Sequence, residues 1–154
     1  MSRTHRFSSP IDAGPARVYA ALTHASELAL WLPPAGMKGR FERFAAGQGF
    51  RMILAYTDPA ERGKAGGGRD VVDVTITEAV DGARITWASE FESDDPEYAG
   101  TMTMTWELEP DGDRTRLTVT ARDVPPGISQ EDHTEGMRTS VMQLNEYLSR
   151  GFIG

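Results

Sequence analysis

A chain of 154 residues is the size of one domain, long enough to bury roughly 70% of the surface its unfolded form would expose, so a single core over residues 1–154 is expected. A net charge of −7, a pI near 4.9 and the lack of any basic run argue against nucleic acid as a partner. The absence of cysteine removes disulfides, thiolate metal sites and cysteine nucleophiles. With a polar start and no stretch near the ~20 apolar residues of a bilayer span, this predicts a cytoplasmic protein with no membrane partner.

In chain order, residues 5–9 make a short strand and Pro15 opens a helix through Ala16, Arg17, Val18, Tyr19, Ala20, Ala21 and Leu22, since proline costs little in a first helical turn. A second short helix, 26–31, stops at Pro33-Pro34, where the backbone must turn extended. Residues 39–44 and 50–56 read as strands around Gly47-Gln48-Gly49. In the second of them Phe50, Met52, Leu54 and Tyr56 alternate with Arg51, Ile53 and Ala55. Residues 57–69, with Gly63, Gly66, Gly67 and Gly68, read as an exposed flexible loop, either a lid or a spacer.

Residues 71–78 and 83–92 form another strand pair about Asp81-Gly82, with Ile85, Trp87, Ser89 and Phe91 on one side. Pro96 and the acids Asp94, Asp95 and Glu97 mark a solvated connection. The clearest segment follows. Met102, Met104, Trp106 and Leu108 alternate with Thr103, Thr105 and Glu107, Asp111-Gly112 makes a tight turn, and residues 114–122 send Leu117, Val119 and Ala121 inward. After Pro125-Pro126-Gly127, Ser129 caps a long helix whose Met137, Val141, Leu144 and Leu148 form one apolar stripe. Its first two turns are polar, which places that end near solvent or at a cavity rim.

The residues themselves offer no catalytic constellation. His5, His24 and His133 fall in separate segments without a second ligand at metal spacing, so neither a metal nor a cofactor is expected. His133 is a candidate general base at a cavity rim, against the plainer reading of a solvated side chain in a polar turn. Glu131, Asp132 and Glu135 read as dipole-favoured carboxylates, and Glu90 and Glu107 point to solvent. Gly63-Lys64-Ala65 lacks the hydroxyl residue and upstream glycine of a phosphate loop. Tyr56, Ser89 and His133 are the polar groups to test if a cavity proves reactive.

Several local patterns taken together carry a resemblance: Ile11 with Pro15 through Ala21-Leu22-Thr23, Leu28 and Trp31, Gly47-Gln48-Gly49-Phe50, and Ile85-Thr86-Trp87. Thr115 to Thr120 and Gly136 with Leu144 and Leu148 complete it. The chain resembles the activator of Hsp90 ATPase homologue 1-like (AHSA1-like) family of the START/Bet v 1-like (SRPBCC) superfamily, and residues 124–128 look like a loop of one bacterial subgroup. The resemblance implies an α+β helix-grip fold, a curved antiparallel sheet wrapped around the long C-terminal helix, with two short helices after the first strand.

A mostly apolar small molecule, aromatic or lipid-like, is then the expected ligand, held between sheet and helix as concave apolar sites require. Its lining is expected to be Trp31, Met52, Tyr56, Trp87, Phe91, Met102, Met104, Trp106, Met137 and Val141. The resemblance also leaves open a polyketide cyclase-like or hydrolase-like enzyme in the same cavity, and an Hsp90-type chaperone interaction module. Monomer and homodimer both stay open.

Overall fold

The computed structural model describes residues 3–150. The predicted element order is the observed one. β1 (Thr4–Ile11) leads into α1 (Pro15–Thr23) and α2 (Ala25–Trp31), then six strands and a long helix follow. The strands are β2 (Met37–Ala45), β3 (Gly49–Tyr56), β4 (Arg69–Val80), β5 (Arg84–Phe91), β6 (Met102–Asp111) and β7 (Arg114–Arg122), and the helix is α3 (Gln130–Ser149). A turn of 3-10 helix, Pro96–Tyr98, interrupts the β5–β6 connection. Among the described residues, no helix is long and apolar enough to cross a membrane.

The seven strands form one antiparallel sheet in the order β1-β7-β6-β5-β4-β3-β2. Strands β2 to β7 are a meander of hairpins, and β1 closes onto β7 after α1 and α2 carry the chain to the opposite edge. Register shifts between Phe41 and Arg43 and between Ile76 and Glu78 mark bulges, which bend a sheet and increase its twist. The result is the curved sheet of a helix-grip fold.

Because side chains alternate, register fixes what the concave face presents. One rung runs His5, Ala121, Met104, Trp87 and Ile76 across β1, β7, β6, β5 and β4. The next runs Met102, Ser89, Val74 and Phe50. A third runs Phe91, Val72 and Met52, and a fourth pairs Asp70 with Leu54. Aromatic rings pack together over this face: Trp31 on Trp106 at 5.6 Å and Trp87 on Phe50 at 5.3 Å edge to face, and Trp106 on Trp87 at 5.2 Å with the rings tilted.

Helix α3 is laid on this face through Met137, Val141, Leu144 and Leu148, all buried, as the predicted stripe requires. Ser129 caps it, its hydroxyl accepting from Asp132 N at 3.0 Å. The C-terminal end of α2 is fastened to it by Gln143, whose amide donates to Trp31 O and Pro33 O, and by Ser140 donating to Leu32 O. Trp31 lies beneath, wholly buried, its indole N–H donating to Ala21 O at 2.9 Å.

Candidate functional site

Where the helix and sheet diverge, they leave a cavity of about 720 Å³. Its depth is apolar: Met52, Val74, Trp87, Met102, Met104, Trp106 and Met137 are on the wall. Its mouth is marked by the exposed residues Ala35, Glu61, Asp132 and Glu135, contributed by the α2–β2 connection, the β3–β4 loop and the first turns of α3. A second, smaller cavity of about 260 Å³ under α1 shares Phe50 and Trp87 with the first, so those two rings form the partition.

Of the ten lining residues expected from sequence, Met52, Tyr56, Trp87, Phe91, Met102, Met104, Trp106 and Met137 stand on the wall of the larger cavity. Trp31 and Val141 do not. Trp31 packs behind Trp106 as a buried tie between α1 and α2, and Val141 is one turn too far along α3, where helix and sheet already touch.

The wall carries one charged knot that the sequence reading missed. Asp70, 4% exposed, accepts the Tyr56 hydroxyl at 2.9 Å and the Lys64 ammonium at 2.9 Å on Oδ2, and the Lys64 backbone N–H at 2.7 Å on Oδ1. The ammonium also lies 5.0 Å from the Phe91 ring centre and 5.6 Å from that of Tyr98. Burial first, and the Asp70 carboxylate second, push the Tyr56 phenol well above its usual range, so it stays protonated and donates.

Residues 57–69 were expected to be an exposed loop, and 57–62 largely are, whereas 63–66 are half-buried and fold back on the site. Gly63 makes this possible. Its φ is +74°, and a Cβ there would stand 2.0 Å from Arg69 O. The Ala65 N–H donates to Arg69 O and the Gly68 N–H to Arg62 O, so the loop is pinned to the start of β4 with Lys64 inside it.

His133 also differs from its plainer expectation. It is not a solvated residue: it lies on the cavity wall, its Nδ1 2.8 Å from His5 Nδ1. One ring must donate and the other accept, so the pair holds together only while at least one ring is neutral. Burial, the neighbouring His5 and the positive charges of Lys64 and Arg3 lower His133 to about 4, and burial and Arg3 lower His5. Arg3 itself binds the carbonyls of Pro125 and Ile128, bracing the turn into α3. Ser89 is buried on the wall beside Met102. Among the described residues, no three histidine, aspartate or glutamate side chains converge in a way that could hold a metal ion.

Charge is unevenly spread. Glu61, Asp70, Asp132 and Glu135 line the cavity with Lys64 as the one lysine or arginine among the described lining residues, and Glu135 is further paired to Arg138 at 2.8 Å. The indole N–H groups of Trp87 and Trp106 are buried with no acceptor among the described residues.

Comparison with known proteins agrees with this architecture. A family model described as "Activator of Hsp90 ATPase homolog 1-like protein" matches residues 12–149. Protein CV1439 from Chromobacterium violaceum is similar at 27% identity over 94% of this chain and 95% of its own, with a TM-score of 0.82. The AHSA1 protein SPO3351 from Silicibacter pomeroyi is similar at 17% identity, covering 97% and 100% of the two chains, with a TM-score of 0.76. DynU16, from the dynemicin biosynthetic locus, aligns at 20% identity over 96% of this chain and 48% of its own, with a TM-score of 0.66. No curated protein matches the sequence.

Proposed function

The chain belongs to the activator of Hsp90 ATPase homolog 1-like family, and from that premise we propose that it binds a mostly apolar small molecule, aromatic or lipid-like, between its sheet and α3. The observation that carries this reading is the cavity. At about 720 Å³ it falls within the roughly 300–1,000 Å³ of small-molecule sites, and two tryptophans and several methionines line it beside a few converging polar groups. Methionine and tryptophan give large contact areas and adapt to ligand shape at little cost.

An enzyme in the same cavity is the weaker reading. A general base works best with a pKa near the operating pH, and His133, at about 4, holds a proton too weakly to take one efficiently from a substrate at neutral pH. Tyr56 is committed as a donor to Asp70. The likeness to DynU16, at 20% identity, speaks for the fold and leaves the chemistry open.

The test is a panel of apolar ligands followed by tryptophan fluorescence and melting temperature, with Met104→Trp as the control. Met104 is on the wall and opposite Trp87 in the ladder, so a larger ring there fills the space. Ligand-dependent quenching and stabilisation in the natural chain, lost in a folded Met104→Trp variant, are the expected results. A panel that leaves both observables unmoved removes the proposal.

A further inference from the structure

Building on the binding reading above, we infer that the ligand is electrically neutral and presents a carbonyl-type oxygen to the Lys64 ammonium, with its apolar body against Trp87, Trp106 and Met104. The ammonium is the reason. It carries three donors, and the described residues give it one acceptor, Asp70 Oδ2 at 2.9 Å. Beyond that acceptor the ammonium lies over the rings of Phe91 and Tyr98 and on the cavity wall, with 18% of its side chain exposed, so its other two donors are open to a ligand or to water. A ligand that brings an acceptor therefore gains a charge-assisted hydrogen bond that a hydrocarbon cannot make.

Net charge selects against the ionised alternatives. The positive charge of Lys64 is already neutralised by Asp70, and Glu61, Asp132 and Glu135 surround the mouth. A carboxylate ligand would pass these three acids and leave water for a site with no unpaired lysine or arginine among its described lining residues. A cationic ligand finds the aromatic faces and Asp70 already taken by Lys64 itself. A carbonyl needs neither compensation, only a donor, and Lys64 has two to give.

The direct test uses three probes of matched shape: acetylpyrene, isopropenylpyrene and pyrenecarboxylate, each titrated by quenching of tryptophan emission. Acetylpyrene is expected to bind about tenfold tighter than isopropenylpyrene, the value of one hydrogen bond to a charged donor. Pyrenecarboxylate is expected to be the weakest of the three. In Lys64→Met the preference for acetylpyrene over isopropenylpyrene should fall to within about twofold, the remaining affinity being apolar contact. Since that change strands Asp70, Lys64→Met/Asp70→Asn supplies a second background without the ammonium and without a stranded carboxylate.

Equal binding of acetylpyrene and isopropenylpyrene by the natural chain overturns the inference while leaving the cavity as an apolar site. So does a preference that survives in both variants, or a carboxylate that binds tightest. Failure of all three probes to bind overturns the underlying binding reading and this inference with it.

Discussion

Removing Lys64 tests the buried knot most directly. Asp70 has a side chain 5% exposed, whereas Lys64 is 18% exposed, so the two single changes strand unequal charges. Lys64→Met leaves the carboxylate buried with two donors, the Tyr56 hydroxyl and the backbone N–H of residue 64. Breaking one side of a buried pair costs about 3–5 kcal/mol, and the two surviving hydrogen bonds place this case near about 3. Asp70→Asn leaves an ammonium that keeps two aromatic faces and some water, at a cost of about 2 kcal/mol. The double variant strands no charge and should lose only about 1–2 kcal/mol, a coupling of roughly 3–4. Urea unfolding at neutral pH measures all three, and for a chain of this size Lys64→Met should lower the melting temperature by about 6–12 °C. If the single losses instead add to the double within about 0.5 kcal/mol, the pair is not coupled and the account of the site fails.

Three further outcomes follow from the same geometry. His133 is lowered from 6.5 to about 4, so between those values the unfolded chain binds the extra proton, and stability must fall as pH falls. The contribution is fully present above about pH 6.5. At about pH 5 the loss is about 2 kcal/mol, and His133→Gln should flatten that part of a urea-derived stability profile. Gly63→Ala should destabilise by at least about 1 kcal/mol in thermal unfolding, because both its φ of +74° and Arg69 O oppose a side chain. Ser129→Ala should lose about 1 kcal/mol by removing the cap of α3, seen as a lower urea midpoint with an unchanged slope.

The fold was legible because its strong signals are local and periodic. Alternation in β6 and β7, the glycine turns at Gly82 and Gly112, and the α3 stripe each depend on neighbours a few residues away. The apolar wall followed from the same alternation, which is why Met104, Trp87 and Met52 were placed correctly as inward-facing. Trp31 and Val141 were not separable from it. Periodicity says which side of an element is inward, but not whether the inward space is filled, and filling depends on how far α3 diverges from the sheet.

The polar site was harder for a definite reason. Its members lie far apart in sequence: His5 and His133 meet because β1 closes onto β7 beneath the start of α3, a topology that no local pattern encodes. Lys64 sits in a loop whose fold depends on the backbone of Gly63 approaching Arg69. Beside Tyr56 and His133, which the sequence does single out, Asp70 also left a readable trace. Starting β4 at Val71 leaves it in the loop, but Val72, Val74 and Ile76 already define the inward set, and extending that alternation one step back lands on Asp70. A carboxylate at an inward position must find a cation and donors to remain ionised there, and within reach the chain offers Lys64 before it and Tyr56 across the ladder. The residue that breaks the apolar pattern is thus the one around which the polar end of the cavity is assembled.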